Sequence, residues 1–503
     1  MMKYVVNAME MKHIDQYTIE KVGIPSVVLM ERAAHAVVSE IMKEVPAGTL
    51  QDRLCVVLCG KGNNGADGLA AARMLHIIGM RPVVYFPGEG RGEEWRTQYQ
   101  IVKNLKIPVC DLNGLEEILK EDRAGLIVDA LFGIGLNRGI EGEMAQVIGM
   151  ANQSRAYRAA VDIPSGISAD TGEVLQIAFK ADLTVTFGSV KFGCLLYPGS
   201  YYCGKTVTAD IGFPKEAYDF VNPRFFTRDA SEAPVLLPER PANAHKGTFG
   251  RLTVIAGTYN MSGAAYLAAL AAYRIGTGLV RIVTPRDNRG ILQMGVPEAI
   301  LTTYDREDFS LEPVMEAIHW ADAIVAGPGM GINSCSKAIV RAVLQEAICP
   351  VIFDADALRI IGDSEGLEQQ LKVSHVVTPH LGEMAALSGR KIQEIEEDPV
   401  MAAREFSHIY QTNCVLKGAR TVVSRSVGRD YINTTGNSGM ATAGSGDVLS
   451  GIIGGLMAQG MSPFDAACAG VLIHGCAGDL AAKKKGERAL MASDLAEAQC
   501  LIR

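Results

Sequence analysis

Residues 54–68 read LCVVLCGKGNNGADG, an apolar run that ends on a turn rich in glycine and asparagine, and LAAARML at 69–75 continues with helix-forming residues. A strand buried in a parallel sheet is apolar throughout rather than alternating, and a glycine-rich turn lets the chain double back into a covering helix. The same rhythm predicts strands at Leu54–Leu58, Pro82–Phe86, Leu126–Val128, Ala159–Val161 and Leu183–Phe187, with helical stretches between them. This half therefore reads as a three-layer α/β/α unit. Ahead of it, residues 1–45 read as helices, with Val27, Val28, Met30, Ala34, Val37, Val38 and Ile41 at near-helical spacing.

Asp219 to Pro241 interrupt the pattern. Pro223, Pro234, Pro238 and Pro241 lie among polar residues, which suits an extended linker better than a helix or a central strand. The domain boundary is placed near residue 225, dividing the chain into 1–224 and 225–503. The strand rhythm restarts with Leu252–Ala256, Leu279–Val283, Ala323–Ala326, Val351–Asp354, His375–Thr378 and Asn413–Leu416, and helices are expected at 263–275 and 445–458. A length of 503 residues also favours two domains, since single cores stop growing beyond about 250–300 residues.

Composition narrows the function. A net charge of −8 gives no electrostatic reason to expect nucleic acid or an anionic membrane as partner, although backbone N–H groups at helix starts still bind small phosphates. The eleven cysteines include no CxxC pair; Cys55, Cys59, Cys468 and Cys476 fall in apolar runs and read as buried thiols, which fits a reducing, cytoplasmic setting. No secretory signal is visible at the start, and the apolar segment Val448 to Met461 is too short to span a bilayer.

Three loops of the first half share one layout. GNNGADG at 62–68 follows the first strand. VDALFGIGLNRG places Asp129 at a strand terminus with a glycine loop at 133–139 behind it, and VDIPSG places Asp162 at the next, with Ser165 three residues on. Ligands of open α/β sheets bind where strand carboxyl ends gather, so these loops are candidates for one site. Each also has a plainer reading: a tight turn with nothing bound, or an aspartate that only caps its strand. Asn64, Asp129 and Ser165 offer a hard, oxygen-only set of donors, compatible with a monovalent ion, Mg²⁺ or a water cluster.

In this order GNNGADG, VDALFGIGLNRG, VDIPSG and FGSVKFG (187–193) resemble the NAD(P)H-hydrate epimerase family, the YjeF N-terminal domain, over most of residues 1–220. The resemblance implies a Rossmann-like fold. It implies that Asn63, Asn64, Gly65, Ala66 and Asp67, together with Gly133, Ile134, Gly135, Leu136, Asn137, Arg138 and Gly139, contact a hydrated nicotinamide nucleotide. It further implies that Asn64, Asp129 and Ser165 hold K⁺ and that Asp162 meets the reacting ring. Ala66 stands where the family usually has a second glycine, which is harmless at negative φ and damaging at positive φ. The chemistry asks for an acid/base near C6 of the ring. Asp162 is the first choice and Lys191 the second, the latter reading equally well as a surface lysine at a strand end.

GNSGMATAGSGDVLSGIIGGLMAQG at 436–460 is the strongest signal of the second half. Ala443 to Gly446 present consecutive N–H groups, and Asp447 falls in the first turn of an apolar helix. Such a turn stabilises a transferring phosphoryl group while the aspartate takes a proton from the attacking hydroxyl; an isolated GSGD would more simply be a capped helix. With HKGTFGRLTVIAG (245–257), GAAYLAALAAYRIGTGLV (263–280), GPGMG (327–331), DADAL (354–358), TPHLGE (378–383) and VLKGARTVV (415–423), it resembles the ribokinase-like NAD(P)H-hydrate dehydratase family, the YjeF C-terminal domain. Ser445 stands where methionine is common and Thr258 where serine is.

That resemblance implies that Lys417, Gly418, Ala419, Arg420, Thr421 and Gly446 line ADP or ATP, which brings Mg²⁺. It implies that Ala264, Gly331, His380 and Asp447 approach the hydrated dinucleotide. Glu383 is a candidate water-mediated contact to Mg²⁺, and Asp354 and Asp356 either join the site or only order their loop. The expected partners are small molecules, hydrated NADH or NADPH and the nucleotide, with the N-terminal helices available for homo-oligomer packing. Two other readings stay open: a ribokinase-like vitamin-alcohol kinase fused to a nucleotide-binding module, and a first half that is a non-catalytic scaffold.

Overall fold

The computed structural model describes residues 3–45, 50, 52–90 and 92–502. The chain divides into two units, Lys3–Arg224 and Phe225–Arg503. The outermost residues assigned to the two domains, 1–2 and 503, lie outside the described residues.

In the first unit a seven-stranded parallel sheet runs in the order Val109–Cys110, Arg81–Tyr85, Leu54–Cys59, Ala124–Ala130, Tyr157–Val161, Leu183–Phe187, Lys205–Ala209. Strand pleat divides its core in two. Cys55, Val57 and Cys59 pack with Leu69 and Ala72 of the helix Asn63–Ile77 and with Ala34 and Val37 of Ser26–Glu44. Leu54, Val56 and Leu58 face the other way, against Leu115 and Ile118 of Leu112–Lys120 and Val147 and Ile148 of Gly142–Gln153. Two apolar faces on one sheet demand helices on both, which explains why its central strands carry almost no polar side chains.

The second unit repeats the principle on a sheet ordered Ile300–Tyr304, Leu279–Pro285, Arg251–Ile255, Ala323–Ala326, Val351–Phe353, His375–Val377, Asn413–Leu416. These strands are parallel, and the antiparallel pair Val422–Ser424 and Asp430–Ile432 extends them. Leu252 and Val254 pack under the helices Ser262–Arg274 and Ser445–Ala458, whereas the Thr253 hydroxyl points to the other face and donates to Ala317 O in Glu312–Trp320.

Most expected strands form within a residue or two of their predicted ends. Three expectations need correction. The start of the chain is not wholly helical: Lys3–Val6 is a strand, paired in parallel with Val190–Lys191, and its KYVV is too short to show a period. The segment 219–241 is not an extended linker. Phe225–Thr227 pairs in parallel with Asp430–Ile432, and Ala230–Leu236 forms a 3₁₀ helix opened by a reciprocal cap between Asp229 and Glu232. Residues 63–67 are the first turn of the helix Asn63–Ile77 rather than a loop before it.

Among the described residues one helix, Pro463–Lys485, is long and apolar enough to cross a membrane, and 83% of its most apolar window is buried inside the protein. It packs into the core of the second unit.

Ala66 sits inside a right-handed helix and is fully buried, so its methyl is accommodated. Its neighbour Gly65 has no such room: a Cβ there would lie 1.9 Å from Gly60 O. Gly65→Ala should therefore push the helix off the preceding strand and cost about 1–3 kcal/mol of stability. Urea unfolding of the full chain measures this, and an unchanged midpoint would contradict the close approach.

Candidate functional sites

In each sheet the strand order reverses between two neighbours, the point at which ligands of open α/β sheets bind. In the first unit the reversal lies between Leu54–Cys59 and Ala124–Ala130. A cavity of about 1110 Å³ occupies it, lined among others by Asn63, Asn64, Asp67, the loop Leu131–Arg138, Asp162 and Lys191. The expected loop residues Asn63, Asn64, Asp67 and Gly133 to Arg138 thus share one cavity with Asp162 and Lys191. Gly65, Ala66 and Gly139 are absent from its wall; the first two support it from inside the helix.

Lys191 is not a surface lysine. It is fully buried, its Nζ 2.5 Å from Asp162 Oδ1 and 3.0 Å from both Thr186 Oγ1 and Phe187 O. The same Asp162 oxygen accepts from Phe187 N–H at 3.1 Å and Thr186 Oγ1–H at 3.2 Å. Asp162 has φ +67°, a left-handed conformation that aspartate tolerates better than most residues, and it turns the carboxylate toward the cavity. Two more aspartates line the wall. Asp67 is held well above the usual carboxylate range, first by burial and then by the charges of Asp162 and Asp15, and Asp15 is raised by burial and by Asp162. Asp15 projects from the helix Ala8–Tyr17, and nothing in its local sequence marks it out.

Beside this cavity the oxygen donors gather. Asp129 accepts from Ser165 N–H and Ser165 Oγ–H, both at 2.7 Å, and from Leu131 N–H at 3.1 Å. Ser165 Oγ also lies 3.3 Å from Phe132 O, a donor the sequence reading missed because any residue type supplies it. Asn64 packs beside Gly133, and its Nδ2 is buried with no hydrogen-bond partner. Amide oxygen and nitrogen are interchangeable in fit, so a flip would aim an oxygen from the same place. Carboxylate, hydroxyl, carbonyl and amide form a hard donor set that suits an alkali cation.

In the second unit the reversal lies between Arg251–Ile255 and Ala323–Ala326. Gly257 follows the first at φ +78°, and GPGMG follows the second with Gly327, Gly329 and Gly331 all at positive φ. A Cβ on Gly329 would lie 2.9 Å from the Ala264 methyl, so Ala264 and this loop are in contact, and Gly331 N–H donates to Asp356 Oδ2 at 2.8 Å. The helix Ser445–Ala458 starts from Gly444 at φ +89°. Residues 444–447 are half-buried, and first-turn N–H groups such as those of Gly446 and Asp447 have no acceptor within the helix.

Lys417 and Asp354 lie under that turn. Lys417 Nζ is 2.8 Å from Asp354 Oδ1 and 3.7 Å from Glu383 Oε2. A Cβ on Gly446 would sit 3.5 Å from the lysine nitrogen. Burial, and then the negative charge of Asp354, lift the Asp447 carboxyl to about 7, against the lowering effect of Lys417. Of the nucleotide-loop residues, Thr421 Oγ1 closes the 418–421 turn on Gly418, 3.2 Å from its carbonyl, and Arg420 Nη1 reaches Ala419 O at 3.2 Å. His380 is a helix cap rather than a free loop histidine: its Nδ1 accepts from Gly382 N–H at 3.0 Å, and Glu383 Oε2 accepts from His380 N–H at 2.8 Å. Its side chain remains 60% exposed, with Nε2 3.3 Å from Glu383 Oε1.

Sequence comparison then places the chain. Residues 26–193 match the family model described as YjeF-related protein N-terminus, and 252–500 match that of NAD(P)H-hydrate dehydratase. Over 98% of its length the chain is 39% identical to the bifunctional NAD(P)H-hydrate repair enzyme Nnr of Moorella thermoacetica, covering 95% of that protein. Over 94% of its length it is 34% identical to the enzyme of the same name from Escherichia coli, covering 88% of it. The ADP/ATP-dependent NAD(P)H-hydrate dehydratase of Bacillus subtilis, solved with ATP and Mg²⁺, aligns over 55% of this chain and 96% of its own, at 30% identity and a TM-score of 0.47. The two parallel sheets, each with glycine loops at its reversal of strand order, define a two-unit α/β enzyme. The chain belongs to the family of bifunctional NAD(P)H-hydrate repair enzymes.

The Asp162–Lys191 contact yields a stability prediction. Lys191→Met removes the cation from a buried pair and leaves the carboxylate uncompensated, which should lower stability by about 3 kcal/mol. Denaturant titration of the full chain tests it; a loss near zero would show that the lysine is not the aspartate's counter-charge.

Proposed function

We propose that the chain repairs hydrated NADH and NADPH at two sites: the first unit interconverts the R and S hydrates, and the second dehydrates the S form using ADP or ATP. The observation that carries this reading is Asp447, a carboxyl group with its proton affinity raised to near neutral, half-buried in the first turn of a glycine-led helix whose start lies over Lys417 and Asp354. That combination suits proton removal from a hydroxyl as it attacks phosphorus, with developing charge met by fixed dipoles. A vitamin-alcohol kinase would use a similar turn, but relatives spanning 98% of the chain carry the repair-enzyme name.

In the second unit Asp447 takes the proton of the C6 hydroxyl while its oxygen bonds to the terminal phosphorus and the nucleotide leaves one phosphate shorter. The ring nitrogen then pushes its electron pair toward C6, the C6–O bond breaks, phosphate departs, and loss of a C5 proton restores the dihydropyridine. Lys417 and Gly446 contact the nucleotide with Gly418, Ala419, Arg420 and Thr421, while Ala264, Gly331 and His380 approach the dinucleotide. Mg²⁺ bound with the nucleotide neutralises phosphate charge. The excess of carboxyl groups over cations around Lys417 fits a divalent ion there, with Glu383 placed for a contact through water.

In the first unit the substrate is a hemiaminal, so its stereocentre inverts once a base takes the hydroxyl proton and the ring opens and recloses on the other face. Asp162 is the base, and Lys191 orients it. Asn63 to Asp67 and Gly133 to Gly139 seat the nucleotide. K⁺ would be held by Asn64, Asp129 and Ser165, with Phe132 O as a further donor, and would fix the loop that walls the cavity. A cytoplasmic setting and a homo-oligomer belong to the same reading, supported by eleven free cysteines and by exposed Val27 and Val28 on the helix Ser26–Glu44.

Asp447→Asn should lower the ADP-dependent recovery of NADH absorbance from S-hydrate at least about 100-fold and leave R/S interconversion intact; Asp162→Asn should do the reverse. In the wild type the dehydration rate should climb as pH rises through about 7, because the base works only when ionised. Isomer-resolved chromatography with an absorbance assay reads both activities, and a fully active Asp447→Asn would remove that residue from the mechanism.

A further inference from the structure

Asp354 remains without a function in this scheme, yet it is among the most constrained groups in the second unit. Its side chain is 1% exposed, with one oxygen 2.8 Å from Lys417 Nζ and the other accepting from Ser450 Oγ–H at 2.7 Å. Its backbone is pinned as firmly. Asp354 N–H donates to Ala326 O at 3.0 Å, and a Cβ on Gly327 would stand 1.8 Å from Asp354 O. The next residue, Ala355, is held at φ +47° and ψ −119°, a conformation an alanine keeps only where its surroundings impose it. Loop ordering alone would not require a buried charge. An asparagine would offer the Ser450 hydroxyl an acceptor at lower desolvation cost.

Its two partners explain the charge. Ser450 lies three residues after Asp447, almost one helical turn, on the helix that carries the base. Lys417 lies at the end of the strand Asn413–Leu416, under Gly446. We propose that Asp354 is a positioning residue of the dehydratase site: its carboxylate, shared between Lys417 and Ser450, locks the ammonium group beneath the Gly444–Asp447 turn. This rests on the dehydratase reading above.

The charged and titratable groups around Asp447 come from each neighbouring element. Asp354 and Asp356 lie in DADAL, Lys417 follows its strand, and Glu383 on the helix Leu381–Ser388 reaches Lys417. His474 on Pro463–Lys485 contacts Ser445 Oγ at 3.4 Å and is kept neutral by burial, so it adds no charge near pH 7. Of these, Asp354 is the largest charge acting to make Asp447 more basic and Lys417 opposes it.

The test uses the full chain, S-hydrate, ADP and Mg²⁺, with kcat and KM measured against pH for the wild type, Asp354→Asn, Lys417→Met and the double variant. Asp354→Asn should move the acid limb down by about one pH unit, because the base loses a repelling neighbour. Its plateau kcat should fall about 100-fold through the misplaced lysine, with KM for the hydrate within about threefold. Lys417→Met should move the limb the other way. The double variant removes the pair together and leaves no lone buried charge, so it is the form to use if Asp354→Asn does not fold. Its rate should be no lower than that of Lys417→Met, since the aspartate has nothing left to position, and its limb should lie below that variant's. An unmoved limb with kcat near wild type in Asp354→Asn would overturn the proposal, as would a double variant whose loss equals the product of the single losses. A wild type that leaves S-hydrate untouched would instead overturn the dehydratase reading.

Discussion

A buried lysine held against an aspartate at the carboxyl end of a parallel sheet is the contact on which both sites turn. Lys191 and Asp162 form it in the first unit, Lys417 and Asp354 in the second, with nitrogen–oxygen distances of 2.5 and 2.8 Å. A charge taken out of water is tolerated only when paired and hydrogen-bonded, so each pair dictates its surroundings. Thr186 and the Phe187 carbonyl accept the remaining protons of Lys191, and the Ser450 hydroxyl completes Asp354. The two charges of each pair come from distant parts of the chain, 29 residues apart for Asp162 and Lys191 and 63 for Asp354 and Lys417, and meet only in the folded sheet. Local chemistry and global fold are thereby tied together.

The two units use their pairs differently. In the first, the lysine faces a carboxylate that is itself the proposed base, while burial and the nearby Asp162 raise the Asp67 and Asp15 carboxyls alongside. In the second, the lysine is paired one residue away from the chemistry, and the proposed base Asp447 stands free of it with a raised proton affinity. Phosphoryl transfer from a nucleotide calls for a base poised to take a proton and give it up again.

Much of this was legible in the sequence because the parallel-sheet signal is so direct: Leu183–Phe187, Ala323–Ala326 and Asn413–Leu416 form with their predicted bounds. Glycine-rich motifs marked the loops at both reversals of strand order, since a chain turning sharply from strand to helix needs glycine at particular places. What was hidden follows from pairing at a distance. Lys191 read equally as a surface residue because nothing in FGSVKFG tells of a carboxylate arriving from VDIPSG. Asp15 and Phe132 O were missed for related reasons: one is an unremarkable helical aspartate, the other a backbone atom. The short strands Lys3–Val6 and Phe225–Thr227 escaped because three or four residues carry no period, and their partners alone make them strands.

A stereocentre at C6 explains why two such units belong in one chain. The proposed base Asp447 and the glycine turn proposed to meet the phosphoryl group are anchored to one helix, three residues apart, which suits selection of one face of the ring. A dehydratase built this way strands half of a racemising substrate unless inversion is supplied alongside it. Each unit buries its own core beneath its own sheet, so fusion costs neither of them its packing, and it fixes the two activities at equal amounts.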